Sequence, residues 1–140
     1  MRATEFLNNM RELNALISST REMIDRLNNV GGFSGIGGKC SVRTNTETDK
    51  QIKRYELGAR LNGYIDDLLI YHDAAVKMIR EGHISPKSKI IIIQRYMLGK
   101  QWCEVAAFMQ ITEQRAKQLN GTTIAEVATQ PEFWANLPKI

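Results

Sequence analysis

The chain has 140 residues, with 19 Lys and Arg against 15 Asp and Glu, 43% hydrophobic and 24% charged. These are ordinary globular values that speak against wholesale disorder, and the length suits one compact domain or a small module with a helical extension. No apolar run approaches the ~20 residues needed to cross a bilayer, and the N-terminal stretch is amphipathic, without the unbroken apolar core of a secretion signal.

Cys40 and Cys103 stand in dissimilar contexts. Their separation suits neither a disulfide framework nor a metal site, so a reducing cytoplasm and no cofactor are expected. The formal charge of +4 is unevenly placed. Residues 84–120 hold six basic side chains (Lys87, Lys89, Arg95, Lys100, Arg115, Lys117) against Glu104 and Glu113, an excess equal to that of the whole chain. A basic concentration of this kind is the footprint of a phosphate-binding surface, or else simply a solvated face.

In chain order, residues 4–29 are helical by period. Phe6, Met10, Leu13, Ile17, Ile24 and Leu27 follow alternating steps of four and three, with Thr20 filling one slot. Such a seam packs helix on helix. Ser19 with Glu22 resembles a capping box, but the unbroken seam argues for one continuous helix.

Residues 28–48 then read as a flexible glycine-rich linker. A phosphate loop ending at Lys39 would need glycine at 33 and Ser or Thr at 40, where the chain has Phe33 and Cys40. The dinucleotide pattern fails at position 40 as well.

A second helix is predicted from about Asp49 to Glu81, opened by a Thr46 cap and closed by Gly82. Its stripe is taken as Leu61, Ile65, Leu68, His72, Ala75 and Ile79. Two long helices joined this way form a coiled-coil-like hairpin or contribute to a dimer. His72 falls on the packing stripe and His83 follows the terminal glycine, neither with metal-ligand spacing. Asp66, Asp67 and Asp73 are scattered around the helix and make no catalytic carboxylate pair. No nucleophile–base pair can be assembled either, so the chain is not expected to be an enzyme.

Residues 84–128 form the basic module. Ser85 caps a helix with Pro86 at its first position, and Gly99 stops it. Ile90 to Ile93 would also suit a short buried strand, but the flanking Pro86 and Gly99 favour helix. Trp102, Val105, Ala106 and Met109 give a short amphipathic helix. Gln110-Ile111-Thr112 makes a turn, and Thr112 caps a further helix with Ala116 and Leu119 facing inward. This is the layout of a helix-turn-helix, whose second helix enters the major groove.

With Ala116, Leu119 and Thr123 inward, Gln114 and Gln118 lie on the opposite face, flanked by Arg115 and Lys117. Gln suits the adenine edge and Arg the guanine edge. Thr112 at the helix start and Lys117, Lys100, Lys87 and Lys89 suit phosphates. The tail, residues 129–140, carries Pro131, Phe133 and Trp134, which either pack back on the module or dock a partner.

Residues 84–127 resemble region four of bacterial housekeeping-class sigma factors. The resemblance is carried by Arg95-Tyr96-Met97-Leu98-Gly99-Lys100-Gln101-Trp102, by Glu104-Val105-Ala106 and by Ile111-Thr112-Glu113-Gln114-Arg115. The whole chain is similar to small phage and prophage regulators of Gram-positive bacteria, of the RinA and ArpU kind. It departs from the pattern at Gln101, where a Ser or Thr cap belongs, and at Gln110, where the turn has glycine. It departs again at Asn120-Gly121, which would end the reading helix early and leave Thr123 and Glu126 to cap another.

The expected fold is therefore all-α: a helical hairpin over 1–83, a sigma-like helix-turn-helix over 84–128 and a tail. The resemblance implies a phage-encoded, dimeric, sequence-specific DNA-binding regulator in the host cytoplasm, with RNA polymerase as a further partner. The competing expectation is a protein-binding inhibitor or adaptor, an anti-defence or packaging factor, that keeps the helix-turn-helix as a scaffold.

Overall fold

The computed structural model describes the backbone of residues 1–37 and 44–139 and the side chains of residues 1–29 and 47–139. The described residues are helical, without a strand. Five α-helices follow in order: α1 (Ala3–Gly37), α2 (Thr44–Glu81), α3 (Pro86–Ile91), α4 (Trp102–Met109) and α5 (Glu113–Ala128). A π-helical segment (Ile92–Met97) continues α3, and a 3-10 turn (Pro131–Phe133) follows α5. Among the described residues, no helix is long and apolar enough to cross a membrane.

Contacts divide the chain into two units, Leu16–Asp66 and Met1–Ala15 with Asp67–Ile140. In the first, the inner face holds Ile17, Thr20 and Leu57, all buried. The Arg54 guanidinium donates to the Leu27 carbonyl at 3.4 Å. Met23, Leu27 and Leu57 line an open apolar groove edged by Arg26 and Lys53. Leu16, Met23, Ile52 and Tyr55 remain exposed, Tyr55 to 81%.

The second unit holds most of the buried apolar side chains among the described residues. Phe6, Leu7, Met10 and Leu13 of α1 and Tyr71, Ala75 and Met78 of α2 are buried, as are Ile91, Ile92, Tyr96, Val105, Ala106, Ala116 and Val127 further on. Phe6 stacks on Tyr71 (centroids 5.9 Å apart) and on Trp134 (6.3 Å). Every polar group in this aromatic cluster has a partner. The Tyr71 hydroxyl donates to the Pro138 carbonyl at 2.7 Å and accepts from Asn9 Nδ2 at 3.1 Å. The Trp134 indole donates to the Val127 carbonyl at 3.0 Å. The tail thus packs back into the core, with Trp134 only 5% exposed.

Two glycines stand where a side chain would clash or be strained. A side chain at Gly82 would collide with the Gln130 amide and the Met78 carbonyl. The space is needed because Gln130 clamps the next residue, accepting from His83 N at 2.8 Å and donating to its carbonyl at 3.0 Å. Gly99 has φ +73°, the left-handed turn that separates the π-helical segment from α4.

Several sequence expectations are corrected. The seam of α1 is buried where its period put it from Phe6 to Thr20, while Ile24 and Leu27 are half-buried; the helix runs on through Gly37 instead of stopping near 29. α2 begins at Thr44 rather than near Asp49, so both ends of the expected 28–48 linker are helical; residues 38–43 lie outside the described residues, as does the Thr46 side chain. Extending an existing helix adds one hydrogen bond per residue fixed, whereas nucleation is costly, so glycines near a helix end need not stop it.

The α2 stripe is displaced by one position at two places only. Ala75 is buried as expected and Leu61, Ile65 and Leu68 are half-buried, but Tyr71 and Met78 are buried where His72 and Ile79 were expected, and those two are half-buried. Tyr71 wins because its ring stacks on Phe6 while its hydroxyl finds two partners. Finally, α5 does not end at Asn120-Gly121, and Thr123 and Glu126 cap nothing; the helix continues to Ala128.

Candidate nucleic-acid interface

α4 and α5 are joined by Gln110, Ile111 and Thr112. Gln101 opens α4 in an extended conformation but makes no side-chain cap bond, as expected from the absence of a hydroxyl there. Gln110 has φ 59°, a left-handed conformation that glycine adopts more readily, so this departure carries backbone strain. Ile111 is half-buried. Thr112 caps α5, its Oγ1 accepting from Arg115 N at 3.1 Å.

α5 packs on α3 and α4. Ala116, Thr123 and Val127 are buried and Leu119 is half-buried. Two buried or half-buried polar ties fix its rotation and depth. The Tyr96 hydroxyl donates to Asn120 Oδ1 at 2.6 Å, which gives the Asn120 side chain a tertiary partner and removes it from the capping role. Tyr96 is held above the usual phenol value by burial, against the Asn120 bond and the Arg95 and Arg11 charges.

Near the far end, Glu126 Oε1 accepts from Ser85 N at 2.8 Å, and Glu126 Oε2 lies 3.0 Å from Ser85 Oγ and also receives the Ser88 hydroxyl. Thr123 Oγ1 lies 3.1 Å from Ser88 Oγ and 2.9 Å from the Leu119 carbonyl. Burial pushes the Glu126 carboxyl up, but the bonds from Ser88 and Ser85 outweigh it and leave it below the usual glutamate value. α5 is thus anchored to the α3 cap through a carboxylate that stays ionised.

The opposite face of α5 is open. Thr112, Gln114, Arg115, Lys117 and Gln118 are all exposed. Arg115 Nη1 lies 3.4 Å from Gln118 Oε1, which brings the residues proposed for guanine and adenine edges onto one ridge. Lys117 faces Glu113 at 3.5 Å, an exposed pair that holds little energy and opens readily to a phosphate. The remaining expected contacts lie elsewhere: Lys87 is exposed and Lys89 half-buried on α3, and Lys100 is half-buried just before α4.

Sequence reading passed over the surroundings of Lys100. Arg95 stacks on the Trp102 ring, its Cζ 4.5 Å from the centroid, and Nη1 donates to the Lys100 carbonyl at 3.0 Å. The seven-residue spacing of Arg95 and Trp102 gives no local signal, because the left-handed Gly99 folds the chain back between them. Comparison with protein-family models, curated proteins and solved structures gives no match for this chain.

Proposed function

We propose that the protein is a DNA-binding transcription regulator of the phage type, reading the major groove with α5 in a sigma-region-four-like helix-turn-helix. The observation that carries this reading is the exposed ridge Gln114, Arg115, Lys117 and Gln118 on a helix whose other face is locked by Ala116, Thr123 and Glu126. Base edges are read by side chains on rigid elements, and this helix presents its hydrogen-bonding residues on the first two turns. α1 and α2 act as a hairpin that brings two copies together, which doubles the phosphate contacts that a module with an excess of four positive charges can make.

The test is a gel-shift selection from random duplexes at low salt, followed by titration of the selected site. Replacing Arg115 by Ala should weaken the selected site by about 1–3 kcal/mol and relax its preference at one base pair. Absence of any duplex binding at low salt overturns the reading.

A second reading, a protein-binding inhibitor or adaptor, is favoured by one feature of the same module. Phe108 on α4 is 58% exposed and Leu98 56%, more apolar surface than DNA contact requires. A single host protein that co-purifies without nucleic acid, and is lost in Phe108→Ser, would support it.

A further inference from the structure

The unit Leu16–Asp66 leaves one face open, and that face carries its own complement. The apolar groove of Met23, Leu27 and Leu57 runs between its helices, edged by Arg26 of α1 and Lys53 of α2. Its volume is about 260 Å³, under the roughly 300–1,000 Å³ of sites that enclose a small molecule. A seat of this size suits an aliphatic side chain offered by another protein surface.

Ile52 is such a side chain, 53% exposed. Asp49, Ile52, Lys53 and Glu56 stand at i, i+3, i+4 and i+7, so they form one stripe of α2. All four are exposed, and Lys53 borders the groove. From the other side Met23 and Arg26 line the groove and continue an exposed stripe of α1 with Leu16 and Ser19.

The charges of this face complement one another across a two-fold axis. Lys53 lies between Asp49 and Glu56 along its stripe. Among the described residues the ion pairs of this unit are Arg26–Glu22 and Lys50–Glu47, and Asp49, Lys53 and Glu56 take part in neither. The Arg26–Glu22 pair is exposed at both ends and holds little energy, so Arg26 exchanges partners readily. With two copies face to face and their α2 helices antiparallel, each Lys53 meets an acid of the other copy and Arg26 meets the second acid. Each Ile52 then lies over the other groove. An isologous contact makes every such pairing twice.

We propose that this face docks a second copy of the chain, with Ile52 of each copy seated in the Met23–Leu27–Leu57 groove of the other. Arg26 and Lys53 pair with the Asp49 and Glu56 of the opposite copy. This rests on the reading that α1 and α2 bring two copies together, and it adds the face and the charges that select the partner.

Two charge-reversed full-length proteins test it, Arg26→Glu with Lys53→Glu and Asp49→Lys with Glu56→Lys. Light scattering of the wild type at rising concentration should reach twice the chain mass. Each reversed protein alone sets like charges opposite one another and should self-associate about tenfold or more weakly. Mixed in equal amounts, the two restore every pairing with the signs exchanged. The dimer should then return, and a tag on one protein should retain the other. Ile52→Ser should weaken self-association with the charges left intact. Circular dichroism checks that the helices are kept; where a double reversal lowers helicity, the single changes Lys53→Glu and Glu56→Lys take its place.

A wild-type dimer that both reversals leave intact overturns this face, as do reversed proteins that fail to pair when mixed. Either result leaves dimerisation through another part of α1 and α2 standing. A wild type that stays at one chain mass overturns the face and the dimer together, while duplex binding by α5 is still read separately by gel shift.

Discussion

Glu126 shows how a single carboxylate ties the module together. It accepts from Ser85 N and from the hydroxyls of Ser85 and Ser88, so it bonds to the same residue that caps α3. Replacing it by Gln keeps the volume but weakens bonds to a charged acceptor, and unfolding should become easier by about 1–3 kcal/mol in urea titration. The pH dependence has a definite sign. Glu126 is held below its ordinary 4.5, so its contribution is complete above that value and is lost as pH falls through the lower folded value. Half-buried His72 is displaced downward from 6.5 by burial, against the Met97 backbone and Asp73. It favours the neutral form, so its contribution is present above 6.5 and fades on acidification. Thermal melts should therefore show stability falling from about pH 6.5 downward, with His72→Gln flattening the upper part of that fall. Gln110 offers the opposite case: at φ 59° it is strained, and Gln110→Gly should raise stability by up to about 1 kcal/mol.

Among the elements, α5 depends most on distant partners. Locally, Asn120-Gly121 looks like a helix end. The continuation to Ala128 is set by Tyr96, 24 positions before Asn120, and by Ser85 and Ser88 bonding Glu126. A continuous helix makes a checkable prediction. A Cβ at Gly121 would meet nothing within 4 Å, so Gly121→Ala should stabilise the protein by about 0.5–1 kcal/mol in denaturant titration. Had the chain broken there in a left-handed turn, the same change would destabilise it. The α1 seam, the Ser85 and Thr112 caps and the α4–α5 turn were legible because each depends on residues within a turn or two. The choice of Tyr71 over His72 was not. Heptad steps leave adjacent stripes nearly equivalent on a 3.6-residue helix, and the partners that decide, Phe6, Asn9 and Pro138, are remote in sequence. The π-helical segment and the Arg95–Trp102 stack were hidden for the same reason.

For the whole molecule, the two units differ in how well they bury their apolar residues. Among the described side chains of Leu16–Asp66, Ile17, Thr20 and Leu57 are buried, while Leu16, Met23, Ile52 and Tyr55 face solvent. A second copy of the chain would cover these exposed apolar side chains. If the proposed dimer forms here, light scattering should find twice the chain mass for the wild type and one chain mass for Met23→Glu with Ile52→Glu. The monomeric variant should keep its helical circular dichroism and lose about half of the salt slope on duplex DNA. A wild-type monomer would remove the hairpin from the proposed mechanism. The localised charge was readable at the outset, but its division was not: Arg115 and Lys117 sit on the open ridge, whereas Arg95 is committed to Trp102 and the Lys100 carbonyl.

The stacking of Phe6 on Trp134 bears on how the protein is made. These rings lie 128 positions apart, and Tyr71 between them is tied to both Asn9 and Pro138. A nascent chain can wind α1 early, but the pocket around Phe6 stays open until residues 134–138 have left the ribosome. Contacts of such long sequence separation make closure of that unit slow relative to helix formation. Until then the apolar faces of α1 and α2 are accessible to chaperones, and a chain lacking residues 134–138 would leave the unit unsealed.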